Sequence, residues 1–130
     1  MTFPNGLAFS PDGRFLYVSQ SDPDAAIMRR FAVGADGTLS GGKTWINWTD
    51  DVVDGLPGLP DGMAVDTGGN VWATAPRGLA IVSPAGEVLG RINTGNPTAH
   101  CAFGEDGGTL YMAANDTLLK VQTRASGAYF

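Results

Sequence analysis

The chain has 130 residues, of which 43% are hydrophobic and 16% are charged, and this composition excludes a disordered chain. The formal net charge of −5 at pH 7 argues against a nucleic-acid partner, because an acidic surface repels phosphate backbones. There is no apolar run of about 18 residues and no basic-then-apolar leader. The sequence therefore predicts no membrane partner and no signal peptide. The single cysteine, Cys101, excludes an internal disulfide.

Nineteen glycines and 8 prolines predict many short strands joined by tight turns. The first hairpin covers residues 4–20, with the sequence PNGLAFSPDGRFLYVSQ. Its turn is Ser-Pro-Asp-Gly, with proline and glycine at the positions that a type I turn prefers. Residues 26–33 and 38–48 are predicted as two further strands. Four consecutive strands joined by turns favour an antiparallel meander.

The pattern restarts after a predicted loop at residues 50–59. The second hairpin copy is LPDGMAVDTGGNVWATA, residues 59–75, followed by strands at 79–82 and 87–93. The third copy is TAHCAFGEDGGTLYMAA, residues 98–114, followed by a strand at 118–122. No fourth strand is obvious in the tail after this third copy.

The second and third copies begin about 40 residues apart, which is the length of a four-stranded propeller blade. We therefore predict an all-β fold, a β-propeller with about three four-stranded antiparallel blades. The blades would cover roughly residues 4–49, 59–94 and 97–124 of one partial propeller domain, residues 1–130. Closed propellers have roughly 4–8 blades, so three blades do not close a ring by themselves.

One position just before the first strand of each copy carries the candidate site. It is occupied by Asn5, Asp61 and Ala99. The first strand of a blade lines the central channel, so oxygen donors at this position would converge near the axis. Such donors suit a hard divalent cation such as Ca²⁺ or Mg²⁺. The alternative is that Asn5 and Asp61 only form turns after proline.

His100 is the only histidine and stands one position past Ala99. At the channel mouth it could hydrogen-bond a substrate; the alternative is a packed or surface histidine. Cys101 aligns with the apolar Leu7 and Met63 of the other copies, which predicts a buried small side chain.

The three hairpin copies, in this order, resemble the gluconolactonase/regucalcin (senescence marker protein) family. The resemblance runs from residue 3 to about residue 124 and matches only the C-terminal half of a family member. It implies a six-bladed propeller with one divalent metal in its channel, of which this chain would be half. It also implies a sugar-lactone hydrolase that acts on a small-molecule lactone.

By this resemblance Asn5 matches a metal ligand, and Asp61 matches a residue that binds the metal and is catalytic. Asp61 would act as general base while the cation polarises the lactone carbonyl. The resemblance leaves the cation open among Ca²⁺, Zn²⁺, Mg²⁺ and Mn²⁺. The family's third ligand, a glutamate, lies in the half that is not matched, and Glu87 and Glu105 stand in turns. A cation would therefore be held weakly by this chain alone.

Three interpretations remain open from the sequence. The chain is a metal-dependent lactonase that is incomplete as a single chain, or it is a catalytically inactive propeller fragment. The third is a half-propeller that assembles with a partner or with a second copy, closing a six-bladed ring as a homodimer. Whether the chain is an enzyme is left open, as is its compartment, bacterial cytoplasm or periplasm.

Overall fold

The computed structural model describes residues 1–104 and 106–129, and within them nearly all regular structure is β. Sheet 1 contains β1 (Pro4–Phe9), β2 (Phe15–Gln20), β3 (Ile27–Val33) and β4 (Leu39–Asn47). Sheet 2 contains β5 (Met63–Val65), β6 (Val71–Ala75), β7 (Gly78–Val82) and β8 (Val88–Asn93). Sheet 3 contains β9 (Thr98–Gly104), β10 (Thr109–Ala114) and β11 (Thr117–Gln122). The predicted all-β fold with antiparallel sheets is confirmed.

Each sheet is a meander in which every strand pairs antiparallel with the next one along the chain. The first turn of each sheet closes in the same way, on a glycine at positive φ. These glycines are Gly13 (φ 69°), Gly69 (φ 82°) and Gly107 (φ 80°). The N–H of each donates to the carbonyl three residues earlier, at 2.9, 2.9 and 3.1 Å. Glycine is needed at this position because a left-handed backbone carries no steric cost without a Cβ.

The sheets stand side by side, with β1 next to β5 and β5 next to β9. Two apolar clusters fill the spaces between them. Between sheets 1 and 2 lie buried residues that include Tyr17, Met28 and Val71. Between sheets 2 and 3 the cluster is formed by Trp72, Leu79, Cys101, Phe103, Leu110 and Met112. Sheet 2 is therefore covered on both faces, and all five residues of β6 are buried.

Three details differ from the sequence prediction. Sheet 3 has three strands among the described residues, one fewer than the predicted blade. A five-residue helix, α1 (Thr49–Val53), occupies the start of the stretch that was predicted to be a loop. The segment after β11 pairs with sheet 2 instead of extending sheet 3, because Thr67 N–H donates to Ser126 O at 2.8 Å and Ala128 N–H to Val65 O at 2.9 Å. Glu105 lies outside the described residues.

No helix in the described parts of the chain is long and apolar enough to span a membrane.

Candidate functional site

The inner strands β1, β5 and β9 bring the three predicted site positions to one end of the molecule. Two glycines allow this approach. A Cβ on Gly6 would collide with the carbonyl oxygen of Asp61 and lie 2.8 Å from the Cα of Gly62. A Cβ on Gly62 would collide with the imidazole of His100. The glycines of the Pro-Asn-Gly and Pro-Asp-Gly motifs could have indicated this close approach in the sequence, because they lie where neighbouring strands meet.

Asp61 is held through both of its backbone polar groups. Its N–H donates to Thr74 Oγ1 at 2.8 Å, and its carbonyl oxygen accepts from Ser19 Oγ at 2.5 Å. Ser19 belongs to sheet 1 and Thr74 to sheet 2, so Asp61 is fixed from both sides of the boundary between the sheets. The carboxylate is thereby presented from a rigid backbone, which a catalytic or ligating group requires.

The environment of the Asp61 carboxyl acts on its pKa in two directions. Partial burial raises the pKa of Asp61, because removal from water disfavours the charged form. The electrostatic effect of the nearby His100 side chain lowers the pKa to a smaller extent, and the net shift is upward. A carboxyl with a raised pKa binds a proton more readily, which is what a general base needs.

Asn5 is exposed, and its side-chain Nδ2 donates to Ser21 Oγ at 3.1 Å. Ser21 Oγ in turn donates to the carbonyl oxygen of Pro60 at 2.6 Å. Asn5 is therefore connected to the residue directly before Asp61 through one hydroxyl. Sequence reasoning missed Ser19, Ser21 and Thr74, because their bonds to Asp61 and Pro60 cross long stretches of chain.

Two cavities adjoin these residues. One, of about 270 Å³, is lined by Asp61 together with residues of sheet 3 such as Thr98 and Asn115. The other, of about 360 Å³, runs along the inner strands and is lined by His100 and mainly apolar side chains. Asp61 and His100 therefore face different cavities, and Asn5 lines neither of the two.

The donor set around Asp61 suits a hard cation in kind, since it consists of a carboxylate and an amide. The number of these protein ligands, two, is small for a divalent cation. Residues 1–104 and 106–129 contain no group of three or more His, Cys, Asp or Glu placed to hold a metal ion. The residues present fit part of a divalent-cation site, with the remaining ligands left to water or to groups outside this set.

Comparison with known proteins decides the family. Residues 1–116 match the family model described as SMP-30/Gluconolactonase/LRE-like region. The chain belongs to this family. A gluconolactonase from Zymomonas mobilis subsp. mobilis is 42% identical over 127 residues, which cover 95% of this chain and 36% of that protein.

Solved structures of this family have the same fold. The structure of a gluconolactonase from Xanthomonas campestris matches with a TM-score of 0.76 and 31% identity, over 95% of this chain and 38% of that one. A calcium-binding protein from Agrobacterium tumefaciens, regucalcin, matches with a TM-score of 0.76 over 98% of this chain and 48% of that one. At 22% identity this second likeness shows the fold alone. The predicted propeller-type fold is confirmed, and the chain spans less than half of the length of these relatives.

Proposed function

We propose that this chain contributes part of the active site of a metal-dependent sugar-lactone hydrolase. The observation that supports the proposal is that Asn5 and the residue before Asp61 are connected through the hydroxyl of Ser21, where the adjacent strands β1 and β5 begin in a gluconolactonase-family fold. The relatives named as gluconolactonases support a sugar lactone as substrate. We assign residues 1–130 to one partial propeller domain, with blades at roughly 4–49, 59–94 and 97–124.

In this proposal Asn5 and Asp61 hold one divalent cation, Ca²⁺, Zn²⁺, Mg²⁺ or Mn²⁺, through side-chain oxygens. Two protein ligands bind such an ion weakly, because the number and charge of the ligands set the affinity. When bound, the cation supplies polarisation of the lactone carbonyl.

Asp61 serves as general base in the proposed reaction. Its carboxylate takes a proton from the water that attacks the lactone carbonyl carbon, and the ring C–O bond then breaks. The proton leaves with the released hydroxyl, so the product is an aldonic acid. His100, exposed and adjacent to Gly62, lines the neighbouring cavity, and it is proposed to hydrogen-bond a lactone that extends from Asp61 into that cavity.

The alternative proposal is a half-propeller whose site is completed by assembly. Leu7 is 61% exposed, Phe9 42% and Leu118 73%, although they are large apolar residues on strands. A second copy packed against these faces would close a six-bladed ring as a homodimer and remove the apolar groups from water. Light scattering at the dimer mass supports this assembly, whereas the mass of a single chain rules it out.

Lactone hydrolysis separates the lactonase from a catalytically inactive fragment. Acid release from gluconolactone above the spontaneous rate is measured with and without each cation. We expect Asp61→Ala to remove the cation-dependent rate. Asp61→Asn keeps an oxygen ligand but loses the base, so we expect it to lower the rate by about 100-fold or more with a smaller effect on cation affinity.

The matched control is Asp116→Asn in the exposed β10–β11 turn, which should leave the rate unchanged. A cation-dependent rate that survives Asp61→Ala contradicts the proposed site. A chain with no such rate in any cation favours the inactive fragment.

A further inference from the structure

Three hydroxyl side chains surround the segment that carries Asp61. Thr74 Oγ1 accepts from Asp61 N–H, and Ser19 Oγ donates its one proton to Asp61 O at 2.5 Å, with Gly6 O as a longer contact at 3.2 Å. Ser21 Oγ donates to Pro60 O at 2.6 Å. Adjacent carbonyls of Pro60 and Asp61 are thus held by two serines two residues apart, Ser19 in β2 and Ser21 directly after the end of β2.

Two of these hydroxyls, those of Ser19 and Thr74, occur in the same hairpin copies as the candidate ligands. Ser19 and Thr74 occupy equivalent positions in the second strands of the first two copies. Those two copies carry Asn5 and Asp61 near the start of their first strands, Asn5 within β1 and Asp61 two residues before β5. The third copy has alanine at both positions, Ala99 as the second residue of β9 and Ala113 in β10. A hydroxyl is present where an oxygen ligand is present and absent where it is absent.

Ser21 differs from the other two hydroxyls because it touches a ligand side chain directly. A hydroxyl has one proton to donate, and that of Ser21 is used at 2.6 Å by the carbonyl of Pro60. Ser21 can then only accept from Asn5, so the amide nitrogen of Asn5 must face it, as it does at 3.1 Å. The amide oxygen, which is the atom that binds cations, is left to face away from Ser21.

We propose that Ser21 is a positioning residue that couples the two candidate ligands across the boundary between sheets 1 and 2. Its single hydroxyl fixes which way the Asn5 amide points and ties that side chain to the carbonyl next to Asp61. The inference rests on the proposed cation site of Asn5 and Asp61. It adds the group that sets the orientation of one ligand relative to the other.

The test compares three variants of the whole chain. Ser21→Ala removes the hydroxyl, and Ser21→Thr keeps it. The control is Ser83→Ala, which removes a serine hydroxyl from an exposed turn, where Ser83 Oγ accepts from Glu87 N–H at 3.1 Å. Nitrogen-15 relaxation of the Asn5 side-chain amide reports its order without any cation. Calorimetric titration with CaCl₂ or MnCl₂ reports affinity.

We expect an ordered Asn5 amide in the wild-type chain, Ser21→Thr and Ser83→Ala, and a mobile one in Ser21→Ala. Cation affinity should fall roughly fivefold in Ser21→Ala, the effect of one lost hydrogen bond, and recover in Ser21→Thr. An Asn5 amide that is equally ordered without the Ser21 hydroxyl overturns the inference. So does an affinity that Ser21→Ala leaves unchanged.

The two proposals fail in different ways. A wild-type chain that binds neither cation contradicts the proposed function. The order of the Asn5 amide then still decides whether Ser21 holds that side chain. Loss of affinity in Ser83→Ala as well as in Ser21→Ala would mean a general loss of stability, and that also overturns the positioning role.

Discussion

The second and third hairpin copies, in sheets 2 and 3, have the same backbone pattern but differ where their first strands begin. The second copy places Asp61 there and clamps its backbone with Thr74. The third copy has Ala99 and Ala113 at the same positions. The turn and the strand pairing are nevertheless alike in both. The hairpin fold of a copy therefore does not depend on the polar side chains at the start of its first strand.

The two copies also differ at the opposite end of the first strand. Asp66 is buried there in the second copy and accepts from Asn70 N–H at 2.9 Å and from Trp72 Nε1 at 3.0 Å. The third copy has Gly104 at this position, which has no side chain to accept such bonds. Sheet 2 is therefore reinforced by a buried polar group and by packing on both faces, whereas sheet 3 depends on one apolar face.

The largest effect should come from the aromatic position that the two copies share. Trp72 is buried and packs edge-on against Phe103, with ring centroids 5.4 Å apart. We expect Trp72→Ala to lower the free energy of unfolding by about 3–5 kcal/mol, because it leaves a cavity between two sheets. Tyr111→Ala, at the equivalent but less buried position, should cost less than half of that. Urea unfolding measures both, and equal losses would mean that the two copies contribute alike.

Asp66→Ala should cost about 2 kcal/mol, because it leaves the buried indole N–H of Trp72 without its acceptor. The control is Asp106→Ala, which removes an exposed carboxylate that accepts from Gly108 N–H at 2.8 Å. That change should stay within about 0.5 kcal/mol. Similar losses from both carboxylates would contradict the special role of the buried one.

The free energy of unfolding should fall at alkaline pH because of Cys101, which is buried between sheets 2 and 3. Burial raises the pKa of its thiol to about 12 from an ordinary value near 9.0. The folded chain therefore keeps a proton that the unfolded chain releases. This stabilisation is complete below about pH 9 and is lost as the pH rises towards about 12, by about 1.4 kcal/mol for each pH unit. Urea unfolding between about pH 8 and 10 should show a shallower slope in Cys101→Ala, and equal slopes would exclude this source of pH dependence.

The smallest effect should come from adding an oxygen ligand to the third copy, which has Ala99 where the other copies have Asn5 and Asp61. Ala99→Asp places a third carboxyl or amide oxygen beside the proposed cation site. We expect a gain of about threefold in calcium affinity, since ligand number and charge set affinity but the new side chain is exposed and must be ordered. Ala35→Asp, in the β3–β4 turn, adds the same charge at a distance and should change nothing. Equal gains in both would attribute the effect to net charge.

Much of the fold could be predicted because repetition makes local signals agree. Glycines at equivalent turn positions and alternating strands recur three times, so each copy supports the assignment of the others. The same alignment placed Asn5 and Asp61 at one position and predicted correctly that Cys101 is buried. The positions of these residues follow from strand order, which the sequence shows directly.

The missed features are the ones that occur once. Helix α1 has only five residues, too few to leave a helical period in the sequence. The bonds of Ser21 to Asn5 and Pro60 join residues 16 and 39 positions apart, and no local pattern marks such contacts. The tail was left without structure because most of its hydrogen-bond partners, such as Val65, Thr67 and Phe9, lie far from it in the sequence. Its hydrogen bonds become visible only when the sheets stand side by side.

The tail also has a consequence for the order of folding. Tyr129 shares its one hydroxyl proton between the carbonyls of Phe9 and Ser10, at 3.1 and 3.2 Å, across 120 and 119 positions of chain. Residues 126–129 leave the ribosome after every strand of the three sheets has been made. Contacts between such distant residues carry a large loop-closure cost and form slowly. During synthesis the inner strands β1, β5 and β9 can therefore pair before residues 126–129 are available to bind at the ends of β1 and β5.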